Sequence, residues 1–147
     1  MSKHSVLAEI EAQLEGVETT FDAWVGKARL QMRVLTRSEE TRARSLVDAD
    51  NLLTAFADSN VPQLAYAVVS VNETPADQLF SPEGNEDRQS FEANPERWRR
   101  RQLADWIAAQ PTVVTEQLWL AYLQAKDKMN KALKDLQNFS ERTPSGS

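Results

Sequence analysis

Residues 111–139 read PTVVTEQLWLAYLQAKDKMNKALKDLQNF. After Pro111 the stretch holds no Gly and no further Pro, so nothing in it interrupts a helix. Apolar residues recur at Leu118, Tyr122, Ala125, Met129, Ala132 and Leu136. Their alternating long and short steps form the a/d seam of a helix that packs lengthwise against another helix. Lys126, Asp127, Lys128, Lys131, Lys134 and Asp135 give the second half one apolar stripe and one wet face. LWLAYL, from Leu118 to Leu123, is apolar nearly all round, which puts that segment at the centre of a domain or beneath a partner. A helix of this kind takes most of its stability from packing. The seam alone fits three coverings equally: the chain's own core, a second copy, or another protein.

The remainder of the chain supplies something for this helix to pack on. At 147 residues, 41% hydrophobic and 27% charged, it has the size and composition of one globular domain. A net charge of −5, with neither half basic, speaks against binding a phosphate backbone. There is no cysteine, which excludes disulfides, thiolate metal sites and a thiol nucleophile. Glu9, Glu11 and Glu15 interrupt the apolar pattern of the N-terminal stretch, so it does not read as a signal peptide. No apolar run approaches the ~18 residues that span a bilayer, and no membrane partner is expected.

Reading from the N-terminus, Val6, Leu7, Ile10 and Leu14 share one face of a helix over Ser5–Glu15 that Gly16 ends. A β-hairpin follows over 19–35, turning at Gly26-Lys27, with Leu30, Met32 and Val34 alternating against Arg29, Gln31 and Arg33. Thr36 with Glu39 forms a capping-box pattern that opens a helix running through Leu46 and Val47 towards Ala57, with a break near Asp48, Asp50 and Asn51. Pro62 stands at a helix start, and Leu64–Val71 (LAYAVVSV) is the segment expected to be most buried, as helix or strand. Thr74-Pro75, Ser81-Pro82 and Gly84-Asn85 mark a surface loop over 72–87. A short helical piece lies around Phe91, and Asn94-Pro95 opens a further helix. The expected fold is mainly α with one small β-hairpin near the N-terminus: a single compact domain over 1–139, a long C-terminal helix, and a flexible tail over 140–147.

Catalytic chemistry finds little footing. His4 is the single histidine and stands in a terminal segment with nothing to orient it. Neither the Asp48, Asp50, Asp58 group nor Glu83, Glu86, Asp87 continues into a calcium-loop spacing. Four glycines, none in a phosphate-loop pattern, leave no nucleotide signature. No catalytic residue, metal or cofactor is expected. RWRRR at 97–101 is the one sharp basic feature, and Glu96 and Asp105 lie within helical reach of it. It reads as the wet face of an amphipathic helix, as an Arg/Trp protein-binding surface, or, least favoured, as a nucleic-acid contact. The residues expected to meet a partner are Trp98, Trp106, Trp119, Tyr122 and Met129, rimmed by Arg97, Arg100 and Arg101.

The phrases FDAWVGKARLQMRVL, then LT-x-x-E at Leu35–Glu39, then A-x-x-V-x-S-V-N at Ala65–Asn72, resemble small tail-assembly proteins of tailed bacteriophages, the tail assembly chaperone class nearest among them. The resemblance covers residues 17–75 by phrase and 95–139 by layout, and the N-terminal helix is an addition to that layout. It implies a non-enzymatic protein of the host cytoplasm that binds the tape-measure protein or other tail proteins during assembly. A structural subunit of the virion tail or baseplate hub, held by the same seam, is the alternative. A homo-oligomer through the C-terminal helix fits either.

Overall fold

The computed structural model describes residues 3–46 and 60–142, with side chains over 5–46 and 60–138. The chain begins with a helix at Lys3–Leu14 (α1) and strands at Thr20–Val25 (β1) and Ala28–Arg33 (β2). Helices at Arg37–Arg44 (α2) and Asn60–Ala67 (α3) come next, then strands at Val68–Val71 (β3) and Thr74–Pro75 (β4). A 3₁₀ turn at Ala76–Gln78 leads to helices at Asn85–Ala93 (α4), Pro95–Ala108 (α5) and Thr112–Arg142 (α6). The continuation of the second helix over 47–57, Asp58, the His4 side chain and tail residues 143–147 lie outside the described residues.

The fold is mainly helical around one core, and the hairpin is half of a four-stranded antiparallel sheet in the order β1-β2-β3-β4. Two of its strands come from sequence that gave no clear strand signal. LAYAVVSV divides: its first half ends α3 and its second half is β3, paired with β2 through Leu30↔Val71 and Met32↔Val68, with a bulge between Gln31 and Met32. Because α3 feeds into the strand through Ala67 and Val68, both buried, no polar residue marks the change. The expected loop over 72–87 is correspondingly shorter. Asn72 and Glu73 form a two-residue turn with φ of 47° and 71°, both positive as a type I′ hairpin requires. The Asn72 Oδ1 accepts from the Arg29 amide at 2.9 Å, and its own amide donates to the Arg29 carbonyl at 2.8 Å. Pro75 sits on the last, two-residue strand, where a missing N–H costs no ladder bond.

The first hairpin turns where its sequence predicts. Gly26 takes φ +60°, and Val25 faces Ala28 across a two-residue turn. The capping box of α2 is complete: Thr36 accepts from the Glu39 amide at 3.2 Å while Glu39 accepts from the Thr36 amide at 3.0 Å. Glu39 is buried and pairs with Arg33 of β2, which fixes the helix to the sheet.

Ala23, Leu30, Met32 and Val68 line the inner face of the sheet and join Leu64, Leu103, Ile107, Leu118 and Tyr122 in the core. The helix α6 packs across β1 and α3. At 31 residues it is about 46 Å long, more than a core of this size can cover.

Candidate interaction surface

The a/d seam of α6 passes from covered to open along its length. Leu118 and Tyr122 are each 1% exposed. Tyr122 meets Phe21 edge-on at 6.2 Å, stacks on Trp119 at 5.3 Å, and its hydroxyl accepts from the Leu35 amide at 3.2 Å. That hydroxyl is held protonated above its ordinary range, chiefly because burial disfavours the phenolate. Further along, Ala125, Met129, Ala132 and Leu133 are half-buried and Leu136 is 39% exposed. Lys126 pairs with Glu40 at 3.9 Å and Lys128 with Glu18 at 3.4 Å, both exposed contacts of small energy near the point where the helix leaves the sheet. On this side Val34, Leu123, Met129 and Leu133 wall a groove of about 630 Å³ edged by Lys126 and Asp127.

A second uncovered apolar face belongs to α1. Every residue from Ser5 to Gly16 is exposed, and Val6, Leu7, Ile10 and Leu14 on its apolar side are 52%, 55%, 47% and 43% exposed. Val17, three residues past its end, is buried, so among the described residues the helix is anchored at its C-terminal end. A helix of 12 residues is at the lower limit of what holds together alone in water, so this one calls for a covering surface.

The expected partner-binding residues do not share one surface. Trp98 is 7% exposed and packs edge-on against Phe91 at 5.5 Å, cementing α4 to α5. Tyr122 is core, as described. Their burial takes both out of reach of any partner of the folded domain. Trp106 and Trp119 are partly buried against the core. Met129 alone of the five lies on the open stretch of the seam.

Two of the three rim arginines serve the fold. Arg100 donates to the carbonyls of Ala65 at 2.9 Å and Val68 at 2.7 Å, and its guanidinium stands over the Tyr66 ring at 5.6 Å. It satisfies the carbonyls released where α3 passes into β3, and its own burial lowers its pKa. Arg97 donates to the Ser45 carbonyl at 2.9 Å, closing the end of α2, and its amide is capped by Asn94. Arg101 is exposed beside a cleft shared with Asp87, Asn94 and Gln102. Arg99, between them, lies over Phe91 at 4.8 Å. The five-residue basic run is thus distributed around α5 and presents no continuous positive face, which weighs against the nucleic-acid reading.

The residues that sequence reasoning missed are Val6, Leu7, Ile10 and Leu14 as a surface, and Leu133 and Val34 beside Met129. The α1 periodicity was legible, but a periodic face reads as core by default, and nothing in the pattern marks it as uncovered.

Among the described residues no group of three or more His, Asp or Glu side chains is placed to hold a metal ion, and no helix is long and apolar enough to cross a membrane. Comparison with known proteins finds no family model, no curated protein and no solved structure that matches this chain.

Proposed function

We propose that this chain is a non-enzymatic assembly chaperone of a bacteriophage tail, which holds a long helical client such as the tape-measure protein before the tail tube closes around it. The observation that carries the reading is the far half of α6, where an apolar stripe of Ala125, Met129, Ala132 and Leu136 continues the core seam beyond the sheet. An extended amphipathic helix is the partner such a stripe fits, with anchors at helical spacing laid into a groove. Met129 and the leucines adapt to irregular client side chains. The phrase-level resemblance over residues 17–75 supplies the phage context, and the stripe supplies the means of binding.

The test is capture of the tagged chain from an infected host, with mass spectrometry of what accompanies it. A long helix-rich tail protein should accompany the wild type and be lost from the Met129→Glu, Leu136→Glu double variant, whose fold is intact by circular dichroism. Equal capture by both chains would overturn the reading. Finding the chain in fixed ratio in purified mature particles would replace it with the structural-subunit alternative.

A further inference from the structure

Among the described residues two apolar helical faces match one another, that of α1 exposed and that of the end of α6 half-buried to exposed. On α1 the stripe is Leu7, Ile10 and Leu14, with Val6 beside it; on α6 it is Met129, Ala132 and Leu136, with Leu133 beside it. Both follow the same three-four spacing, that of two helices in knobs-into-holes contact. At 12 residues α1 is about 18 Å long, the length of α6 from Ala125 to Leu136. Their flanks are opposite in sign. Glu11 edges the α1 stripe, while Lys126 and Lys128, alongside Asp135, edge the open half of the α6 stripe. Charge of this arrangement sets register and partner choice along a helix pair.

We infer that a second copy of this chain covers the stripe: α1 of each protomer lies on the open half of α6 of the other, giving a two-fold dimer joined by two equivalent helix pairs. The ion pair between Glu18 and Lys128 sets the segment that follows α1 beside the start of the open half of α6. A two-fold axis near that point lets each α1 reach the other protomer's α6, the same patch being used on both copies. A standard interface buries about 800 Å² per partner, and the symmetry supplies the helix contact twice. Since α1 occupies the stripe, a helical client must displace it, so dimer and client compete. The dimer itself is tested on the purified chain with no client present, so its failure and the failure of the chaperone reading are separate results.

The experiment uses the absence of cysteine. A chain carrying Ile10→Cys is mixed in turn with chains carrying Met129→Cys, Ala132→Cys or Leu136→Cys, each tagged differently, and oxidised. Only Cα pairs within about 7 Å can be bridged. A disulfide between the two differently tagged chains at one or more of the three positions is the expected result. Sedimentation over roughly 1 to 100 µM should show a monomer–dimer equilibrium for the wild type, abolished by Leu7→Glu with Ile10→Glu. A wild type that stays monomeric across that range would overturn the inference. So would bridging only within the Ile10→Cys chains, which places α1 on α1. A bridge formed inside one chain of the Ile10→Cys, Met129→Cys double variant, without covalent dimer, would overturn it too, since α1 would then fold back on its own α6.

Discussion

The two halves of α6 carry the same sequence rule and meet different fates. Leu118 and Tyr122 are sealed against β1 and α3, while Met129, Ala132 and Leu136, next on the same seam, stand half-open or exposed. Periodicity specifies a face and its direction around the helix. What covers that face depends on how far the rest of the chain reaches, and here the sheet ends before the helix does. A stripe that continues past its own core is therefore more informative than one that stops with it.

The contrast should be largest in stability. Tyr122→Ala removes a buried ring from contact with Phe21 and Trp119 and leaves the Leu35 amide unpaired, so it should cost about 3–5 kcal/mol in urea unfolding. Met129→Ala should cost less than about 1 kcal/mol at concentrations where the chain is monomeric. Comparable losses at the two sites would mean that the far half is also packed within its own domain, and the comparison would fail. Because Tyr122 is core, its replacement tests folding, and the distal substitutions are the ones that report on binding.

The platform beneath the near half depends on Arg100. Its two bonds to the Ala65 and Val68 carbonyls hold the passage from α3 to β3, and α6 packs on α3. Arg100→Ala should cost about 2–3 kcal/mol by urea unfolding, since it orphans carbonyls that a charged donor had satisfied. Arg101→Ala, one residue on but exposed, should cost about 1 kcal/mol at most, since exposed contacts of a cation are worth little. Equal effects would show that Arg101 holds the fold as firmly as Arg100 does.

How far these roles were legible follows from what each residue must satisfy. The Gly26 turn, the Thr36–Glu39 capping box and the α6 helix rest on local rules, and the sequence showed them directly. The strands β3 and β4 depend on β2 as a neighbour; LAYAVVSV contains no boundary residue because Ala67 and Val68, where helix passes into strand, are both buried. Arg100 looked like a rim charge because a cation on an amphipathic helix is usually solvated. Only the positions of the Ala65 and Val68 carbonyls, thirty-odd residues away in sequence, reveal its task. The same holds for Trp98 and Tyr122: aromatic composition pointed to anchors, and the anchored surface proved to be internal.

Alkaline titration separates the halves by a polar marker that only the near half has. Burial raises the Tyr122 hydroxyl above its usual 10.0, and burial together with Glu96 raises Tyr66. In both cases the native state keeps its proton where the unfolded chain releases it. The stabilising contribution is therefore full below about pH 10 and declines as pH climbs from there through the raised native values. Absorbance of tyrosinate near 295 nm should rise at higher pH in the native protein than in urea, for both of its two tyrosines. Tyr122→Phe should remove one of those two transitions and leave the Tyr66 one. Native and unfolded curves that coincide would mean that the Tyr122 hydroxyl is wet and the near half no better sealed than the far half.

A comparably small effect on the fold should come from removing the open stretch outright. Ending the chain after Asn130 deletes Ala132, Leu133 and Leu136 but none of the residues that join α6 to the core, namely Leu118, Tyr122 and the partly buried Trp119. A helix end projecting into water contributes little, because its backbone bonds exchange for water and its side chains are only partly covered. The truncated monomer should match the full chain within about 1 kcal/mol in urea, while the dimer and client capture both disappear. Amide exchange gives the same answer without deleting anything: protection near the global unfolding limit from Leu118 to Tyr122, and protection that falls away beyond Met129 in the monomer and returns when the stripe is covered. If exchange beyond Met129 were slow in the monomer as well, the apolar stripe would be paired within the chain and would have nothing left to offer a partner.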